Sequence, residues 1–241
     1  MDPLHHFQVH KIWDMSVFGV DISVSNSVVW MWIAVAVAFF FFYYSITGAK
    51  RIPGRMQSLA ELGYLFIYDM MVGIIGKDEV PKFFPYVFTI FYFILFCNLL
   101  GLIPGSFTPT SQIIVTGTFA AIIVGISFLY GFYRNGIHYL KFFVPSGVPV
   151  LLLPLIIPIE IISFLARPVS LSVRLFANMT AGHTMLAVMF FYVVTLPIYG
   201  SWLPFGFSVV FTGVEIFIGF IQAYIFTILT CVYINDAIHL H

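Results

Sequence analysis

The stretch RPVSLSVRLFANMTAGH, Arg167 to His183, places two arginines, an asparagine and a histidine in the oiliest part of the chain. VPVLLLPLIIPIEIISFLA precedes it with a single charge, and TMLAVMFFYVVTLPI follows it with none. An arginine at the centre of a membrane helix costs about 2.5–3.5 kcal/mol even on a lenient insertion scale. A chain that keeps such charges must balance them or use them. The rest of the composition says that these segments meet lipid. Of 241 residues, 61% are hydrophobic and 8% charged, against about 25% charged in a soluble domain. The expected class is an all-α polytopic membrane protein. Ten Lys and Arg balance ten Asp and Glu, which excludes a strongly basic nucleic-acid binder. Cys97 and Cys231 both lie in apolar runs and show neither a disulfide framework nor metal-site spacing, so both are read as buried and free.

Working outward, the chain reads as one membrane domain over 1–241. An outside segment covers 1–26 and a first span 27–49. A mixed stretch at 56–76, with Glu61 and Asp69 among apolar residues at helical spacing, reads as an amphipathic helix at the interface. Spans two and three form a hairpin over 83–133, joined by the short, uncharged turn SFTPTSQ. A steeply tilted helical hairpin covers 148–236. The count is thus about five membrane helices plus one interfacial helix. The polar, histidine-rich start shows no signal-peptide pattern, and His5, His6, His10, His239 and His241 read as solvated ends.

Seven of the ten basic residues flank spans two and three on one side: Lys50, Arg51, Arg55, Lys77, Lys82, Arg134 and Lys141. The positive-inside rule puts that side in the cytoplasm or a mitochondrial matrix, with the N-terminus outside. As a single helix, the apolar run from Val148 to about Pro197 would measure roughly 70 Å. It must therefore tilt, break or lie partly in the plane of a hydrocarbon core about 30 Å thick.

The intramembrane polar groups are Glu160, Arg167, Arg174, Asn178 and His183, with Glu215 and Gln222 in the last segment. Glu160, Arg167 and Arg174 recur every seven residues, a drift of only about 20° per step, so they share one stripe. Asn178 joins it one turn beyond Arg174. In an antiparallel hairpin, residues level with each other have numbers that add to a constant. On that test His183 is level with Glu215, Arg174 with Gln222, and Asn178 with Gly219. His183 and Arg174 stand about half a turn apart around the helix. If His183 faces Glu215, Arg174 faces elsewhere, toward another subunit. Two readings stay open for Arg167, a side chain that snorkels to the interface or a functional charge. Two also stay open for Glu160, a neighbour of Arg167 or a channel acid.

The same stretch resembles subunit a of the F-type ATP synthase. Arg167-Pro168, Ser170-Leu171, Arg174-Leu175, Asn178 and Ala181-Gly182 carry that family's pattern. IQAYIFTILTCVYINDAIHLH is similar to its last helix, with Gln222 in place, FCNLLGLIPGSFTPTS to its second span, and PLHHFQVHKI to its amino-terminal segment. Many bacterial members carry Glu after Ala-Gly and His seven residues before the Gln. Here they are exchanged as His183 and Glu215, which resembles the alphaproteobacterial and mitochondrial branch.

The resemblance implies two half-channels. His183 and Glu215 relay protons from the outside, Arg174 meets the carboxylates of a rotating c-ring, Gln222 and Asn178 lie near Arg174, and Glu160 lines the inner half-channel. It implies a c-ring, peripheral-stalk b subunits and a lipid bilayer as partners, no cofactor and no nucleic acid. The implied location is a bacterial inner membrane or, alternatively, a mitochondrial one. No P-loop is present, so nucleotide chemistry falls to other subunits. A secondary transporter with a buried charged-substrate site is the alternative, against which stand the few spans and the absence of inverted repeats. A structural scaffold would not need Arg174.

Overall fold

A computed structural model describes residues 11–14, 16–17, 20–21, 23–103, 106–144, 152–197 and 200–238. The histidines at both ends and Pro149 lie outside these residues. The described chain is a helical bundle of α1 (Asn26–Ile46), α2 (Arg55–Ile75), α3 (Val80–Gly101), α4 (Ile113–Asn135), α5 (Leu153–Thr195) and α6 (Trp202–Ile238). Two short antiparallel strand pairs precede α1. In one, β1 (Lys11–Trp13) pairs with β4 (Val24–Ser25); in the other, β2 (Ser16–Val17) pairs with β3 (Val20–Asp21).

Six of the described helices are long and apolar enough to cross a bilayer, one more than the five expected. The additional one is α2. Its acids gave it an interfacial look in the sequence, yet it packs closely on the bundle. Tyr64 packs at a tilt against Phe84 and Phe88 of α3, with ring centroids 4.6 and 6.3 Å apart. Phe66 reaches Phe91 of α3 and Phe220 and Tyr224 of α6. Ile67, Met71 and Ile75 recur at one-turn spacing and are buried. Glu61 and Asp69 stay on its exposed face. Gly76 ends α2 and Gly136 follows α4 with φ of +90° and +56°, a backbone region that favours glycine.

α6 sits at the centre, touching α2, α3, α4 and α5. Its second half carries the densest burial: Gln222, Ala223, Phe226, Thr227, Thr230, Cys231, Tyr233 and Ile234. Cys97 and Cys231 are both buried and free, as expected. On α1 the aromatic run faces outward instead. Phe39, Phe40, Tyr43 and Tyr44 are exposed, a face suited to lipid.

α5 runs unbroken for 43 residues and α6 for 37, roughly 65 and 55 Å at 1.5 Å per residue. Both exceed a hydrocarbon core of about 30 Å. Pro158 and Pro168 lie inside α5 without interrupting its helical assignment. Of the three ways to fit this length, a break is absent from the described part of α5. The two helices pack as an antiparallel pair in a single register. Phe164 meets Tyr233 at 5.4 Å between ring centroids, Met179 lies beside Gly219, and Gly182 lies beside Glu215.

The basic end of the bundle is tied together by Glu79. Its carboxylate accepts hydrogen bonds from Lys82 at 2.8 Å and from Arg134 of α4 at 3.0 Å. Asn135 donates to the backbone oxygen of Ala237 at 2.9 Å, joining the ends of α4 and α6. At the opposite end, the turn after α3 dives inward. Phe107, Thr108, Thr110 and Ser111 are all buried, the last two in a short 3-10 helix, Pro109–Ser111.

Candidate functional site

The site is built on the hairpin of α5 and α6, and the period of α5 divides its residues between two faces. Phe164, Pro168, Leu171, Leu175, Met179, Gly182 and Leu186 recur every three or four positions and are buried. Arg167, Ser170, Arg174, Ala177, Asn178 and Ala181 lie between them and are exposed. The stripe of Arg167, Arg174 and Asn178 thus lies on the outer face, and Glu160 behind it is half-buried.

Arg174 makes no hydrogen bond or ion pair with any described residue of this chain. Its neighbours on the outer face are small: Ser170, Ala177 and Ala181. A second helix can therefore approach the backbone closely there, with the guanidinium as the main projecting group. Arg keeps its charge at any accessible pH and presents five donors in a planar fork. A charge so placed is open to an acceptor from outside the chain.

The inner face has the opposite character. Glu215 is 6% exposed, and its side chain fills the space that a Cβ on Gly182 would occupy. One carboxylate oxygen, Oε2, has no hydrogen-bond partner. Gln222, two turns along the same face of α6, is 2% exposed, and its Nε2 is likewise unpartnered. Such groups are costly to bury without partners, and here they stand among apolar side chains.

Sequence reasoning joined His183 directly to Glu215. The structure places Glu215 against Gly182, the adjoining residue, and no hydrogen bond joins the carboxylate to the imidazole. His183 is half-buried, with its Nε2 2.8 Å from Thr108 Oγ1. Nor does Gln222 reach Arg174. It was placed level with Arg174 along the axis, but it lies on the packed face of α6 while Arg174 lies on the outer face of α5. Asn178 shares the exposed face with Arg174, whereas the α5 residue beside Gly219 is Met179.

Three polar residues near the site were not singled out as candidates, although all three lie within FCNLLGLIPGSFTPTS. Asn98 of α3 is buried and donates to the Gly219 backbone oxygen of α6 at 3.1 Å. Thr110 donates to Asn98 Oδ1 at 2.9 Å. Thr108 touches His183. They come from a span and an uncharged turn far away in sequence. The one clue was the inward-turning, hydroxyl-rich composition of SFTPTSQ itself. Among the described residues no group of three His, Cys, Asp or Glu side chains could hold a metal ion.

Comparison with known proteins finds full-length relatives. Residues 28–235 match the family described as ATP synthase A chain. The chain is 59% identical to ATP synthase subunit a of Magnetococcus marinus, over 100% of this chain and 94% of that protein. It is 49% identical to ATP synthase subunit a of Pelagibacter ubique, over 100% of this chain and 98% of that one. The protein of that name from Rhizobium leguminosarum bv. trifolii is also 49% identical, over 99% and 97%.

Proposed function

We propose a mechanism that proceeds from one premise: the chain belongs to the ATP synthase A chain family. It is a multi-pass membrane protein. In our reading it is the stationary, proton-translocating subunit of the Fo part of a rotary ATP synthase in a bacterial inner membrane. Its partners are a ring of c subunits, the b subunits of a peripheral stalk, and the surrounding lipid.

The basic residues orient it. With the Glu79 end of the bundle inside, Lys50, Arg51, Arg55, Lys77, Lys82, Arg134 and Lys141 share one side. This requires both ends of α2 to lie on that side, since a full crossing by α2 would divide the basic residues between the two faces. The turn holding Thr108 then lies toward the outside, at the level of His183.

Protons reach His183 and Glu215 from the outside and pass to a carboxylate on the ring. After most of a turn they leave on the basic side, where Glu160 lines the way out. Glu160 precedes Arg174 by fourteen residues, and His183 follows it by nine, so Arg174 separates the two routes by roughly 21 and 14 Å along α5. Its charge favours the ionised ring carboxylate and so promotes release of the proton. It also closes the direct path between the half-channels. Asn178 extends the polar contact one turn toward His183. Gln222, on the inner face beyond Glu215, supplies an amide to the proton route rather than to Arg174.

The observation that carries this reading is Arg174 itself, exposed and without a partner among the described residues, on a face where Ser170, Ala177 and Ala181 are small, while Glu215 on the neighbouring helix is turned inward. The full-length relatives are each named ATP synthase subunit a, which leaves the secondary-transporter alternative without comparable support. The test is Arg174→Ala and Arg174→Lys in vesicles at matched complex content. Because no intrachain partner is orphaned, both variants should assemble. Alanine should abolish coupled ATP synthesis and raise passive proton leak. Lysine should fail to restore synthesis, because it replaces the planar fork with a point charge and loses its proton when buried. Normal coupled synthesis in Arg174→Ala rules the gate out.

A further inference from the structure

We propose that Thr108 is a positioning residue for His183: its hydroxyl holds the imidazole in place and stays bonded to it whether or not Nε2 carries a proton. The inference rests on the reading of His183 as a proton relay. It comes from a contact between the α3–α4 turn and α5, 75 residues apart in sequence.

A relay histidine alternates between two states, and its partner must serve both. A carboxylate favours the charged ring and holds the proton. A hydroxyl carries one donor and two acceptor lone pairs, and its hydrogen rotates to suit. When Nε2 bears a proton, it donates to Thr108 Oγ1. The Thr108 hydrogen then turns to the Gly101 backbone oxygen, 3.4 Å away. When Nε2 is bare, Thr108 donates to it across the same 2.8 Å. The bond survives in both cases, and the ring does not have to swing between them.

The hydroxyl is placed by its own loop rather than by α5. Thr108 is 5% exposed. Ser111 Oγ donates to the Thr108 backbone oxygen at 2.7 Å, and Pro109 stiffens the next residue. The side chain lies in the space left by the missing Cβ of Gly101; a methyl there would strike both its hydroxyl and its methyl group. Gly101 is itself buried. The glycine therefore makes the room, and the threonine uses it to reach His183.

The experiment uses vesicles carrying the complete complex at matched content, with ATP-driven proton pumping and passive flux as readouts. Thr108→Val keeps the shape and removes the hydroxyl. It should lower flux about fivefold, the factor supplied by one hydrogen bond of typical net strength. Thr108→Ser should restore most of it. In a His183→Ala background, where flux is already low, Thr108→Val should have no further effect, since the two act as one unit. If Thr108→Val fails to assemble, Thr108→Ala removes the hydroxyl without burying a methyl beside the Gly101 carbonyl, and the same results are expected of it.

Normal flux in Thr108→Val with impaired His183→Ala overturns this inference and leaves the relay standing. Normal flux in His183→Ala overturns the relay itself. A serine variant as poor as the valine one, or independent losses in the double variant, shows a role in packing and also overturns the inference.

Discussion

On the outer face of α5, Arg174 stands exposed without a partner among the described residues. On the inner face, Gly182 has no side chain, and Glu215 fills the space. Both arrangements carry charge-bearing groups into an apolar helix pair, but they solve different problems. The inner groups are enclosed by this chain, so their protonation depends on the packing of α3, α5 and α6 around them. The outer group is open to a counterpart from outside the chain. In the proposed mechanism, the contrast means that one hairpin separates a proton route from the surface that meets the ring by half a turn of one helix.

Adding a methyl group to the inner face sharpens the contrast most. Gly182→Ala would put its Cβ onto the Glu215 carboxylate. The end of a flexible side chain can move aside, so the chain should still fold and assemble. The carboxylate, however, loses its position, and a displacement of this kind near the chemistry should cut proton flux by about tenfold or more. Gly131→Ala is the control. Its methyl would meet the ring of Tyr139, which is 1% exposed and cannot swing away. Overpacking there should cost about 1–3 kcal/mol of stability, while flux per assembled complex changes little. The two readouts should therefore run in opposite order. Equal flux loss per complex at both sites would break the distinction between a site glycine and a packing glycine.

How much of this was legible beforehand depends on the length scale of the signal. The apolar runs, the hairpin of α5 and α6, and the polar groups within it follow from hydropathy and residue spacing, because membrane helices leave lipid-facing residues little choice. The level match of α5 with α6 was also readable, since a tight turn fixes an antiparallel register. Direction around the helix was harder. The half-turn between Arg174 and His183 implied different faces, but not that Gly182 rather than His183 would receive the Glu215 side chain. That depends on which residue lacks a Cβ, a property of close packing. Thr108 lay within a stretch the resemblance covered, but its contact with His183 was not legible, because a neutral hydroxyl in an uncharged turn does not reveal its distant partner. α2 keeps Glu61 and Asp69 exposed, which suits the interfacial reading, while its aromatic contacts with α3 and α6 were not legible in the sequence.

The smallest effect belongs to the basic end, where the charges are paired and wet. The hydrogen bond from Lys82, and after it that from Arg134, hold the Glu79 carboxyl below its usual value. The stabilisation is therefore fully present above the unfolded value of about 4.3 and is lost as pH falls through the lower folded one. Lys82 and Arg134 are both more than a third exposed, so Glu79→Gln should cost less than about 1 kcal/mol. Thermal unfolding followed from pH 6 downward should show the parent and variant converging in acid, with unchanged proton flux at neutral pH. A clear loss of flux would show that this clamp belongs to the proton path.

The division of α5 into two faces is tested most directly by cross-linking within the assembled complex. After Cys97 and Cys231 are replaced by serine, single cysteines are placed at Ala177 or Ala181 on the outer face, and at Ser172 on the inner one. Each is paired with a ring subunit carrying one cysteine near its carboxylate, and disulfide formation is measured in membranes. Ala177→Cys and Ala181→Cys should cross-link to the ring, and Ser172→Cys should not. Cross-linking from Ser172→Cys, with none from the outer positions, would contradict the assignment of Arg174 to the surface that meets the ring.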